Sequence, residues 1–112
     1  MFVIDRHGIK ITRGDTARFV IALEGRDVAE GTKALFTVKA TPWEPCRPDI
    51  EKLIDVEEGK VQVLLESEDT DITPGNYVWD VRLFEPEDEA HTNVVTPMEY
   101  AAFKVLEAIG DE

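Results

Sequence analysis

The sequence predicts an all-β sandwich of roughly seven to nine strands. Two strongly alternating segments say so first. In residues 59–66, Val61, Val63 and Leu65 share one face. In residues 74–83, Tyr77, Trp79, Val81 and Leu83 share a face while Asp80 and Arg82 point away. A period of two over such lengths marks strands with one dry and one wet face. The second observation is that further apolar alternation recurs at short intervals, broken at Gly and Pro. The third is composition: 112 residues with 43% hydrophobic content fit one domain with a real core and exclude global disorder.

Taken in order, residues 2–4 and 9–12 read as strands flanking a turn at His7-Gly8. Residues 16–23 form the next, with Phe19, Ile21 and Leu23 on one side, followed by a turn at Glu24-Gly25. Residues 33–39 put Ala34, Phe36 and Val38 on one face. Residues 41–48 hold three prolines, Pro42, Pro45 and Pro48. They cannot form a central strand, because proline has no amide proton for the ladder, so they read as a surface loop. Residues 49–56 are a further strand, turning at Glu58-Gly59. Ser67-Glu68-Asp69-Thr70 reads as one helical turn capped by Ser67.

The C-terminal segment satisfies two patterns. Thr96-Pro97-Met98-Glu99 has the form of a helix start, and Met98, Ala101, Ala102, Val105, Ala108 and Ile109 follow at helical spacing. Ala101, Phe103 and Val105 also alternate as a strand would.

Charge narrows the function classes. Twenty-four acids against twelve bases give a net charge of −12. That argues against general affinity for nucleic acid or anionic lipid, both of which need a basic surface. Beyond solubility, it points to a basic protein partner or a divalent cation. The single Cys46 allows no intrachain disulfide, which fits a reducing compartment. The N-terminus shows no secretory signal, and no apolar run approaches the roughly 20 residues needed to span a bilayer. The expectation is a protein that is cytoplasmic when made.

Candidate chemistry is sparse. Glu66, Glu68, Asp69 and Asp71 cluster, as do Glu85, Glu87, Asp88 and Glu89, but neither run has the spacing of a calcium loop, and both read as solvated loops. His7, His91 and Cys46 are scattered and would supply three zinc ligands at most. Ser67, the only serine, sits among acids that oppose its ionisation. No metal, cofactor or catalytic residue is expected, and hence no enzyme. Trp79 is in phase with the core. Trp43, in the proline loop beside Arg47, either caps the sandwich end or stands exposed as an interface anchor, since Trp and Arg are the composition of a hot spot. The candidate interface is therefore Trp43, Arg47 and the acidic tip Glu85, Glu87, Asp88 and Glu89.

The order of segments also carries a resemblance. Ile11-Thr12-Arg13-Gly14-Asp15-Thr16 opens a long strand. An apolar strand with Phe36-Thr37-Val38, a glycine-led strand at residues 59–65, and Glu68-Asp69-Thr70 before Pro74-Gly75-Asn76-Tyr77-Val78-Trp79 then follow. This pattern resembles the immunoglobulin-like β-sandwich module at the N-terminus of phage upper-baseplate proteins and of related small phage tail proteins. It spans residue 11 to about residue 105. It departs from that pattern at Glu85-Pro86-Glu87-Asp88-Glu89 and at the proline loop. The resemblance implies a final strand rather than a helix near residues 97–109. It also implies a structural role in a phage or prophage virion, contacting other virion subunits or a homo-oligomer through sheet edges and loops. Two other functions compete with it. One is a carbohydrate-binding sandwich using Trp43, Tyr100 and Phe84; the other is an acidic regulator that masks a basic partner.

Overall fold

The computed structural model describes residues 1–5, 8–23, 31–42, 47–84, 94–95 and 100–108. The strands are β1 (Phe2–Asp5), β2 (Gly8–Thr12), β3 (Ala17–Ala22), β4 (Lys33–Lys39), β5 (Ile50–Asp55), β6 (Lys60–Leu65), β7 (Gly75–Phe84), β8 (Val94–Val95) and β9 (Ala101–Leu106). One helical turn, α1 (Ser67–Thr70), joins β6 to β7. The architecture is the all-β sandwich that the alternation predicts. A large sheet runs β1-β2-β9-β7-β4-β5, with β8 also on β7, and a two-stranded sheet pairs β3 with β6. All pairings are antiparallel except β2 with β9.

The topology is immunoglobulin-like. One layer presents β3 and β6, and the other presents β4, β7 and β9. The turn into β7 carries a tyrosine corner. The Tyr77 hydroxyl donates to the Thr73 carbonyl oxygen, four residues upstream, at 2.5 Å. Where antibody domains bridge the two sheets with a disulfide, two residues beyond that tyrosine, this chain has Trp79. It meets Phe19 of the facing sheet edge-on, with ring centroids 6.5 Å apart. Phe36 completes the set, 5.4 Å from Trp79 and 5.9 Å from Phe19. Three rings at these separations replace a covalent link with packing, each pair contributing about 0.5–1.5 kcal/mol beyond its buried area.

Most inward positions of the predicted strands are buried, and Ile21, Ile54 and Tyr77 are partly so. Val61, Val63 and Leu65 of β6, and Ala34, Phe36 and Val38 of β4, are fully buried, and Phe103 and Val105 of β9 join them. Phe103 and Val105 also resolve the C-terminal ambiguity. Residues 101–106 are a strand, because β7 and β2 supply ladder partners on both sides, which a local helix signature does not take into account. The helix-start residues 96–99 lie outside the described residues.

Two local expectations change. The one-turn helix is capped by Glu66, not Ser67: the Glu66 backbone N–H donates to the Asp69 carboxylate at 2.8 Å. Gly8 is not a turn residue but the first residue of β2, at φ 139°. A Cβ there would stand 2.3 Å from the Ala102 carbonyl oxygen. Only glycine lets the two backbones come this close at the start of the parallel pair. The predicted turn at residues 24–27 falls outside the described residues.

Two of the segments named above, residues 11–16 and Glu68-Asp69-Thr70, meet in space. Gly14 and Asp15, from the turn before β3, dock on α1. The buried Thr70 hydroxyl donates to the Asp15 carbonyl at 2.7 Å, and the Gly14 N–H donates to the Thr70 carbonyl at 3.3 Å. Arg13 reaches Asp71 at 2.9 Å. The corner is thus held by a polar network in which a buried hydroxyl has its partner, as burial requires.

Candidate functional site

The outer face of the large sheet is the most developed surface among the described residues. Pairing register lays it out in rows. Val3, Lys10, Lys104 and Asn76 form one row across β1, β2, β9 and β7. Asp5, Gly8, Ala102, Val78 and Lys39 form the next. Then come Asp80, Thr37 and Glu51, and beyond them Arg82, Leu35 and Leu53.

Small side chains in the second row leave a trough. Three hollows share it. One of about 360 Å³ lies over Gly8 and Ala102, with Asp5, Lys10 and Lys104 around it. One of about 280 Å³ is bounded by Asn76, Val78, Pro42 and Tyr100. One of about 210 Å³ lies between Tyr100, Pro42 and Pro48 on one side and Asp80, Arg82, Glu51 and Leu35 on the other. Neighbouring hollows share Asn76, and Val78, Pro42 and Tyr100, so the depression is continuous across the sheet.

The face mixes apolar area with ordered charge. Leu53 is 62% and Tyr100 54% exposed, while Leu35 and Val78 are half-buried. Lys10 and Lys104 stand directly opposite one another on adjacent strands, both exposed. Neither makes an ion pair among the described residues. Like charges in that arrangement cost stability rather than add to it. At the other end, Glu51 is exposed on β5, whereas Asp55 is already paired with Lys33 at 2.9 Å and Asp80 lies 4.0 Å from Arg82.

The edges of this sheet differ. β5 turns Lys52 inward, where it meets Asp69 of α1 at 2.8 Å. An inward charge of this kind blocks strand addition. β1 has no such guard and exposes Val3 and Ile4.

The sequence-predicted residues distribute unevenly. Arg47 is exposed next to Pro48, which lines the smallest hollow. Trp43, Glu85, Glu87, Asp88 and Glu89 lie outside the described residues, as do His7, His91 and Cys46. Trp79 is buried as predicted. Its Nε1 has no hydrogen-bond partner among the described residues. The first acidic cluster does not converge: Asp69 faces Lys52 and Asp71 faces Arg13. Among the described residues, no group of three or more His, Cys, Asp or Glu side chains could hold a metal ion. No described helix is long and apolar enough to cross a membrane. Tyr100 and Phe84 fall on this same face, four positions apart in the ladder by way of β7. Lys10, Lys104 and Glu51 were not among the predicted site residues. Their grouping depends on register between strands distant in sequence, which alternation alone does not encode.

No protein-family model matches the chain, and no curated protein matches it.

Proposed function

We propose that this protein is a non-enzymatic assembly module of a phage or prophage virion, of the baseplate or tail kind, acting through protein–protein contacts. The observation that carries the assembly part is the outer sheet face, a continuous trough with exposed Leu53 and Tyr100 and with charged side chains of both signs around it. An apolar centre with a charged rim is how recognition surfaces are built. The virion part rests on the resemblance in segment order, two of whose segments pack together at the Thr70 corner. On this reading the protein is made in the cytoplasm and ends in the particle, with other virion subunits or a basic protein surface as partners. Mass spectrometry of purified particles from the source strain tests it: the polypeptide is expected at stoichiometric abundance, and repeated absence contradicts a permanent structural role.

One observation favours a second reading. Tyr100 stands over a hollow that also presents Thr37, Glu51, Asp80 and Arg82, an aromatic with hydrogen-bonding neighbours suited to a sugar. A glycan array with a Tyr100→Ala control separates the two: specific binding lost in the variant supports carbohydrate recognition, and an empty array supports the assembly module.

A further inference from the structure

We propose that β1 is a self-pairing edge: it docks antiparallel on β1 of a second copy of this chain, around a two-fold axis at Val3, and carries the large sheet across both molecules. This deepens the assembly reading and rests on it.

The ladder fixes which backbone groups β1 offers. The Thr12 N–H donates to the Met1 carbonyl at 2.9 Å, and Phe2 lies opposite Ile11 in the next position. An antiparallel ladder alternates bonded and non-bonded pairs. Met1, Val3 and Asp5 therefore turn their backbone groups toward β2, while Phe2 and Ile4 turn theirs away from it. The far side of β2 agrees. The Arg13 N–H donates to the Leu106 carbonyl at 2.8 Å, so odd-numbered residues of β2 face β9 and even-numbered ones face β1. β1 is the outermost strand of its sheet, so the amides and carbonyls of Phe2 and Ile4 stand along its edge.

A two-fold contact opposes a strand to itself, and one register within β1 uses all of these groups. It sets Phe2 opposite the second copy's Ile4, Ile4 opposite its Phe2, and Val3 opposite its Val3. A register centred on Phe2 leaves Ile4 without a partner, and one centred on Ile4 carries Phe2 past the end of the strand. The side chains fit the same register. Val3 meets Val3 on one side of the sheet, and Phe2 meets Ile4 on the other. Asp5, the one charged residue of β1, falls opposite Met1 rather than opposite its own copy.

Apolar area is open on both sides of this strand. Val3 is 43% and Ile4 40% exposed. Ile4 shares the side of Phe2, which stacks on Phe19 at 5.5 Å, but the facing sheet has only two strands and leaves Ile4 uncovered. Charged side chains are how edges are kept from pairing. β5 has the inward Lys52, and β3 has exposed Arg18. β6 has exposed Lys60, whose amide and carbonyl are already taken by Glu57. β1 has no lysine, arginine or proline.

The contact is short. A four-residue strand at about 3.4 Å per residue is about 14 Å long, which gives less than the roughly 800 Å² per partner of a standard interface. The dimer is therefore weak and reversible, with a dissociation constant of about 0.1–1 mM. Copies of net charge −12 repel, and no ion pair is needed to join them, so added salt should strengthen the dimer.

Amide hydrogen exchange and sedimentation, both measured from below to above that concentration, test the proposal. Exchange at Phe2 and Ile4 should slow as dimer forms, while Val3 and Asp5, already facing β2, change little. Ile4→Pro removes an edge amide without touching the β1–β2 ladder, and Val3→Lys sets like charges opposite each other at the axis; each should weaken the dimer by about tenfold or more. Register is read by cross-linking in a Cys46→Ser chain. Val3→Cys should oxidise to a linked dimer, because directly opposed residues lie within disulfide reach, and Asp5→Cys should not. A wild-type chain that stays monomeric, a dimer indifferent to both β1 substitutions, or cross-linking at residue 5 in place of residue 3 overturns the proposal. So does protection of Phe2 and Ile4 only when other particle proteins are added, which puts a foreign strand on β1. Circular dichroism checks that the variants fold; if Ile4→Pro does not, Val3→Lys carries the test. A monomeric result removes the second copy from this edge without touching the particle-composition test above.

Discussion

The two faces of the large sheet use the same strands and obey opposite rules. On β4, Ala34, Phe36 and Val38 face inward and are fully buried, while Leu35, Thr37 and Lys39 between them line an open trough. On β7, Trp79, Val81 and Leu83 close on the β3–β6 sheet, while Val78, Asp80 and Arg82 do not. The inner face is complete within one chain, with three aromatic rings clasped across it. The outer face keeps apolar area exposed at Leu53 and Tyr100, and its charges of both signs stand at the surface, only some of them paired among the described residues. The difference separates what holds the domain together from what it offers to a partner, and substitutions should divide along the same line.

The largest effect is expected at the inner face. Phe36 is fully buried against both Phe19 and Trp79, so Phe36→Ala should cost about 3–5 kcal/mol, read from the urea midpoint. Leu53→Ala on the outer face should change stability by no more than about 0.5 kcal/mol while weakening association. Equal stability losses at the two positions would erase the distinction.

Gly8 comes next, because it supports both faces by anchoring β2 to β9. Gly8→Ala forces a Cβ against the Ala102 carbonyl, and a strained backbone of this kind costs about 1–3 kcal/mol. Hydrogen exchange should show β2 amides opening while the β3–β6 ladder stays protected.

The tyrosine corner gives a smaller effect with a pH signature. Tyr77→Phe deletes the bond to Thr73, worth about 0.5–1.5 kcal/mol. Burial, and then the nearby Asp49 carboxylate, raise the Tyr77 pKa above its ordinary value, with Arg13 acting in the opposite direction. The folded chain therefore holds that proton more tightly than the unfolded chain. Stability from this source is full below the ordinary tyrosine value of about 10 and declines as pH rises past it. Tyr77→Phe should flatten the alkaline limb of the stability curve; an unchanged limb would remove Tyr77 from the account.

A further small stability effect belongs to the guarded edge. The Lys52–Asp69 pair is partly exposed, so Lys52→Val should shift stability by about 1 kcal/mol or less. Its consequence is aggregation, because β5 then presents an unguarded ladder. Light scattering at raised temperature should increase for Lys52→Val and stay flat for Lys33→Val, which loses only an exposed ion pair.

The inner face was legible in the sequence and the outer face was not, for physical reasons. Burial selects apolar residues at every second position, and that alternation survives in one dimension: Phe19, Phe36, Val63 and Trp79 all read as core and all are buried. The parallel β2–β9 pair was invisible, because nothing local distinguishes a strand's partner or direction. With it went the meeting of Lys10 and Lys104, residues 94 positions apart. Ser67 looked like the cap from residue type alone, yet Glu66 takes that place because Asp69 reaches back to its N–H. The described ends of the proline segment, Pro42 and Pro48, wall the trough, while residues 43–46 lie outside the described residues.

The most direct test of the claim that the outer face is the contact surface is hydroxyl-radical footprinting of the free chain and of the purified particle. Leu53 and Tyr100 should lose reactivity together on assembly, while Val20 and Leu64 on the β3–β6 face keep theirs. Protection of Val20 and Leu64 with Leu53 and Tyr100 unchanged would place the contact on the wrong side of the sandwich and contradict the account.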